Sequence, residues 1–235
     1  GTSVTPVASL PSLPLLWESI ESIALDQGRV RGTAVAFSCM RICPVPEDLG
    51  AALTLSCVDI SSLVPQLRRN LDQLRPLRVL ILGCGKAGMT ALYALRNPPD
   101  IEVLAVDHNP NRVMEISRLG VAGNAACLDA RDGPALRQFV EQATDGKLCD
   151  LILNLVNVPG TEMPTVLCAR ESNPPSKILW FSMATRFEQV ALATDGLGKD
   201  VTMLIGNGVA QGQVDETLAL VRAQPELKRF LLHHV

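Results

Sequence analysis

Val79-Leu80-Ile81-Leu82-Gly83-Cys84-Gly85-Lys86-Ala87-Gly88 is the stretch on which the fold turns. Four apolar residues in a row read as a strand covered on both faces, as in a parallel sheet. The glycines that follow form G-x-G-x-x-G, and a helix is expected from about 87 to 96. In such a loop Gly83 permits a tight turn, Gly85 lets a diphosphate approach the backbone, and Gly88 lets the helix lie close to the sheet. The phosphates would meet unpaired N–H groups at the positive end of that helix, where Lys86 and Ala87 stand. A glycine turn without a ligand can look the same. Here the context adds a second strand, Glu102–Val106, ending in Asp107, nineteen residues beyond Gly88. A carboxylate there accepts hydrogen bonds from an adenosine ribose and repels a 2′-phosphate, which favours NAD over NADP. Asp107 also reads as a helix cap, although Asn109 or Asn111 can fill that role. His108 and Arg112 are nearby cations that would soften the preference.

Outward from this motif, strands and helices alternate. Strands are expected at 125–128, 150–156, 177–182 and 200–205, with helices at 111–119, 133–144, 161–168, 187–193 and 214–230. Six strands with intervening helices give an α/β fold, a doubly wound parallel sheet of the Rossmann type. Upstream, apolar residues between Leu49 and Leu74 recur at helical spacing and read as one or two helices. Ile23–Leu25 and Val30–Phe37 flank Asp26-Gln27-Gly28 as a hairpin that buries too little to stand alone. Pro44-Val45-Pro46 blocks helix and marks a boundary, so residues 1–46 read as a partial β-rich unit and 47–235 as the dinucleotide-binding domain.

Ligands of an open α/β sheet lie beyond the carboxyl ends of its strands. Asp129 ends the third strand and is placed beside the adenine, or else serves the next loop or helix. The fourth strand ends in Asn157-Val158, facing the nicotinamide half, where Asn157 would meet the ribose. Glu162 then enters a helix, either as a group that binds a cation or moves a proton, or as a first-turn carboxylate favoured by the dipole. Ser182-Met183 at the fifth tip would offer backbone and hydroxyl groups to the carboxamide, or cap the next helix. Asn207 lies between two glycines after the sixth strand. Gly196–Asp200 is a loop with adjacent opposite charges, by default solvated.

Composition excludes several classes. The chain has 235 residues, a formal charge of −3 and 3% aromatics, which argues against a nucleic-acid-coating surface. No stretch reaches 18 uninterrupted apolar residues, so no membrane span is expected. Seven cysteines without a C-x-x-C pair and three histidines suit no zinc set, and the thiols read as buried and reduced in a cytoplasmic protein.

At several of these blocks the chain resembles the L-erythro-3,5-diaminohexanoate dehydrogenase family. The blocks are Gly32-Thr33-Ala34 through Asp48, Gly83–Gly88, Asn157 through Met163, Phe181 through Thr185, Gly196–Asp200, and Val201 through Gly208. The resemblance implies a zinc-free relative of medium-chain dehydrogenases, with a barrel-like, GroES-like substrate domain ahead of the Rossmann domain. On that likeness residues 1–46 are the remnant of the substrate domain, and the family is longer at its N-terminus by roughly a hundred residues. The implied reaction is NAD-dependent oxidative deamination of a diamino acid, with release of ammonia. A substrate carrying two ammonium groups and a carboxylate requires anionic partners and a cation. Glu162, Asp200 and Lys199 or Arg186 are the candidates. Exposed strand edges of this architecture often pair, which leaves a homodimer open.

Overall fold

A computed structural model of the chain describes residues 1–7, 15–71, 77–96, 100–206 and 208–234. Six strands form one parallel sheet: β5 (Leu77–Leu82), β6 (Ile101–Asp107), β7 (Asn124–Cys127), β8 (Leu151–Asn154), β9 (Ser176–Trp180) and β10 (Val201–Ile205). Their order is β10-β9-β8-β5-β6-β7, so the chain reverses direction across the sheet at β5 and β8. That reversal opens a crevice above the carboxyl ends of these two strands.

Alternation along each strand sorts the core into two layers. Val79 and Ile81 of β5, Val103 and Ala105 of β6, and Leu151 and Leu153 of β8 join one buried cluster. Leu80 and Leu82, Leu104 and Val106, and Ile152 join the other. The first layer is closed by α1 (Gly50–Val58), α2 (Leu63–Leu71), α3 (Lys86–Ala94), α4 (Pro110–Leu119), α8 (Gln213–Ala223) and α9 (Pro225–Leu232). The second is closed by α5 (Gly133–Ala143), α6 (Glu162–Leu167) and α7 (Phe187–Leu197). The single helix expected at 214–230 is two, because Pro225 has no N–H to continue α8 and instead occupies the first turn of α9.

The N-terminal segment forms two small antiparallel pairs: β1 (Val4–Pro6) with β4 (Ile42–Pro44), and β2 (Leu15–Ala24) with β3 (Arg29–Ala36). The β2–β3 hairpin turns at Gly28, whose φ of 59° is left-handed. Its register shifts between Trp17 and Ser19 and again between Ile20 and Ser22. Each bulge adds a residue to β2, so Trp17, Ile20 and Ile23 come to share one face with Val30, Gly32 and Ala34. The hairpin is thus amphipathic, yet Trp17, Ile20, Ile23 and Val30 on its apolar face are all exposed.

Five cysteines are buried, as expected, whereas Cys39 and Cys127 are exposed. Among the described residues no single helix is long and apolar enough to cross a membrane.

Candidate dinucleotide site

The glycine loop joins β5 to α3, and its three glycines meet three different surroundings. Gly83 has φ +85°, and a methyl group there would stand 3.1 Å from the Leu155 carbonyl. A methyl at Gly88 would stand 2.1 Å from Gly83 O, so the helix touches the loop where only hydrogen fits. At Gly85 such a methyl would meet nothing within 4 Å. Gly83 and Gly88 are therefore required by the protein's own packing, while the space over Gly85 is open to a ligand. That is the division of labour by which such loops cradle a diphosphate.

A cleft of about 400 Å³ opens beside Gly85, lined among others by Gly83, Asp107, His108, Asp129, Asn157 and Val158. Five of the sequence-chosen cofactor positions thus share one cavity with the first and second glycines. Asp107 sits at its edge with its side chain only 10% exposed. Oδ2 accepts from the Cys84 amide at 2.7 Å and Oδ1 from the Asn109 amide at 2.8 Å. The carboxylate therefore fixes the glycine loop against the tip of β6 and keeps lone pairs for a further donor. The α4 cap is Asn109, whose side chain accepts from the Asn111 amide at 3.0 Å. Arg112 turns away from the cleft. It pairs with Glu115, and its guanidinium lies 4.2 Å over the Phe230 ring. Of the two, His108 is the one that lines the cleft, with Nδ1 3.5 Å from Asp107 and the ring largely exposed.

Asp129 lines the cleft just past β7 and is held by Arg131 through a forked contact, with Nε at 3.0 and 3.1 Å and Nη2 at 2.6 Å. That guanidinium pulls the Asp129 pKa down to about 2. Lys86 and Ala87 open α3 as expected, and Lys86 Nζ stands 3.8 Å from Asp59.

At the other end of the cleft the β8–α6 and β9–α7 loops are tied together. Asn157 Oδ1 accepts from Ser182 Oγ at 3.1 Å, and Ser182 Oγ accepts from the Ala184 amide at 3.0 Å. Met183 projects outward beside them, exposed. Glu162 is buried, with Oε2 accepting from the Gly160 amide and Oε1 from the Arg186 amide, both at 2.9 Å. Each oxygen thus takes one backbone amide, so Glu162 braces the two loops, and it also lines a cavity with Met163, Arg186 and Gln189. Asn154, not among the expected site residues, is fully buried and donates to Thr161 and Thr165 hydroxyls while accepting from the Val156 amide. A polar residue ending an otherwise apolar strand was the signal for it.

Lys199 and Asp200, chosen with Glu162 as catalytic candidates, lie at the wrong edge. They precede β10, so the strand's five residues separate them from the carboxyl end by about 16 Å. Lys199 Nζ pairs there with Glu171 at 2.8 Å and bonds Ala169 O at 3.2 Å. Asn207 lies outside the described residues.

A protein-family model described as the TrkA-N domain matches residues 79–196, just over half of the chain. The chain is 30% identical over 233 residues to L-erythro-3,5-diaminohexanoate dehydrogenase of Fusobacterium nucleatum subsp. nucleatum, covering 97% of this chain and 66% of that protein. To the protein of the same name from Acetoanaerobium sticklandii it is 29% identical over 227 residues, 94% of this chain and 64% of the relative. The chain thus spans just under two thirds of the length of these curated relatives. Among solved structures, alcohol dehydrogenase TADH from Thermus sp. ATN1 superposes with a TM-score of 0.60 at 22% identity, over 86% of this chain and 58% of that one. At that identity the likeness is one of fold.

Proposed function

The chain belongs to the TrkA-N domain family, and from that membership we propose that it is the coenzyme-binding part of an NAD-dependent amine dehydrogenase. The substrate in this reading is a diamino acid, L-erythro-3,5-diaminohexanoate, taken to 5-amino-3-oxohexanoate. The observation that carries coenzyme binding is the glycine loop, packed tight at Gly83 and Gly88 and open at Gly85. The curated relatives carry the substrate assignment.

The residues present fit a dinucleotide. Gly85 and the first amides of α3 would hold the diphosphate, with Lys86 as a cation at the same helix end. Asp107, acceptor-only when ionised, would accept hydrogen bonds from the ribose hydroxyls and disfavour a 2′-phosphate. With Arg112 withdrawn onto Phe230, that choice favours NAD over NADP. Asn157 and the Ser182-Met183 turn, locked to each other, would border the nicotinamide. NAD held by these residues would supply the two-electron acceptor for the carbon bearing the 3-amino group, and water would complete the reaction to the 3-oxo acid, ammonium and one released proton. The part of Glu162 in this reading is to hold the two loops at their spacing. Residues 1–46 are assigned to a β-rich substrate-side unit, supported by the open apolar face of the β2–β3 hairpin.

The test is turnover. Incubation with NAD and L-erythro-3,5-diaminohexanoate is expected to yield NADH and ammonia in equal amounts, with NADP at least tenfold less effective. NADH binding without any turnover of this diamine would defeat the substrate assignment and leave a coenzyme-binding module.

A further inference from the structure

The substrate proposed above presents ammonium groups, and the carboxylates around the cleft differ in whether they can receive one. Asp107 and Asp129 stand at the tips of β6 and β7, towards the adenosine end in this reading. Glu162 braces two backbone amides. Asp200 is on the far edge of the sheet. Glu188 and Asp215 stand in the first turns of α7 and α8, whereas Asp59, in the turn between α1 and α2, stands beside the glycine loop through its contact with Lys86.

That turn is fixed on several sides. Ser61 O accepts from Thr217 Oγ1 at 3.0 Å, and Ser61 Oγ accepts from Gln213 Nε2 at 2.9 Å, which pins it to α8. Just beyond it, Ser62 Oγ and Gln66 Nε2 donate to Gly206 O, at 3.4 and 2.7 Å, immediately past the carboxyl end of β10. On its other flank Asp59 Oδ2 reaches Lys86 Nζ at 3.8 Å, in the first turn after the glycine loop. The turn therefore spans from the diphosphate loop to the tip of β10, along the nicotinamide half of the crevice. Asp59 caps α1 through its backbone, its amide donating to Leu55 O, so its side chain is not committed to the helix. That side chain is 56% exposed, and the contact with Lys86 is long for an ion pair.

We propose that Asp59 is a substrate-binding residue that receives an ammonium group of the amine, with Lys86 shared between Asp59 and the coenzyme diphosphate. This rests on the amine-dehydrogenase reading. An ammonium supplies three donors and full charge at neutral pH, and a half-exposed carboxylate in a preformed turn can pair with it without first losing a strong partner. Lys86 would be drawn to the diphosphate when coenzyme binds, which frees the carboxylate for the second ligand. Coenzyme and amine would thus bind in order.

Calorimetric titration of L-erythro-3,5-diaminohexanoate into the protein saturated with NADH tests this without turnover. Asp59→Asn is expected to weaken amine binding at least tenfold and to change NADH affinity less than threefold, while Asp59→Glu keeps amine binding within about fivefold of wild type. Undiminished amine binding in Asp59→Asn overturns the assignment of Asp59 alone, and a tenfold loss of NADH affinity in that variant overturns it too, as it would make Asp59 a support of Lys86. Absence of amine binding by the wild-type protein, with NADH bound, overturns this inference together with the substrate reading.

Discussion

Asp129 shows how a single side chain at a strand tip is settled by its neighbour. The forked contact from Arg131 favours the charged carboxylate and pulls its pKa down to about 2. A folded value below the unfolded one means the pair's contribution is complete above about pH 4 and lost as pH falls through about 2. With side chains 58% and 47% exposed, solvent screens the pair and its share of stability is small. NMR titration of the Asp129 carboxyl carbon is expected to give a midpoint near 2, rising to the ordinary carboxylate range in Arg131→Ala. An ordinary midpoint in the wild type would contradict the pair. The position of Asp129 was legible because the end of an apolar run can be read by eye. Its partner was not, since a contact two residues along depends on how the loop folds back. Arg112 is the same case in reverse: near Asp107 in sequence, it is drawn off by Glu115 and Phe230.

Elements obey edge rules that individual residues do not reveal. Every loop from a strand into a helix lies at the carboxyl edge of a parallel sheet, and every loop from a helix into a strand at the amino edge. Gly83–Gly88, Asn157–Glu162 and Ser182–Arg186 are of the first kind. Gly198–Asp200 is of the second, which is why a charged, glycine-flanked loop that resembled a family block is remote from the cleft. The two bulges of β2 were also illegible, because each inserted glutamate breaks the alternation that marks a strand. Glu162 belongs to this scale as well: it joins the loops after β8 and β9. Glu162→Ala should lower stability by about 1–3 kcal/mol, since two amides lose their acceptor, and should raise KM for NAD. Glu162→Gln keeps one acceptor oxygen and should retain most of kcat. Urea unfolding and a pH–rate profile check this. A thousandfold fall in kcat for Glu162→Gln, with loss of the acidic limb, would instead mark a proton-transfer role.

At the scale of the molecule, the two edges of the sheet are built for different tasks. The amino edge carries a buried ionic group in which Asp150, 2% exposed, accepts from the Arg78 amide at 2.8 Å, from Arg78 Nε at 3.1 Å, and from Arg170. Arg78 Nη1 and Arg170 Nε are buried there without a partner, so the carboxylate is what keeps two guanidinium groups together. Asp150→Ala is expected to cost about 3 kcal/mol, because it leaves the Arg78 guanidinium, 16% exposed, and the Arg78 amide without their acceptor, while Arg170 reaches solvent. Chemical denaturation reads this directly, and a loss under about 1 kcal/mol would contradict it. The carboxyl edge carries helix-end amides, Asp107 and an open glycine. The doubly wound parallel sheet was legible because continuous apolar runs and intervening helices constrain the topology strongly. The pairings across the cleft were not, since they join residues tens of positions apart.

The central proposition is that the space over Gly85 is reserved for a coenzyme diphosphate. Gly85 has φ −69° and ψ −156°, at the margin of the extended region, and a methyl there touches no protein atom within 4 Å. NADH titrated calorimetrically into the wild-type chain and into Gly85→Ala is the direct measurement. Binding should weaken at least tenfold, about 1.4 kcal/mol, with the free protein still unfolding in one cooperative transition. Equal NADH affinity in the two proteins, or none in the wild type, would contradict it.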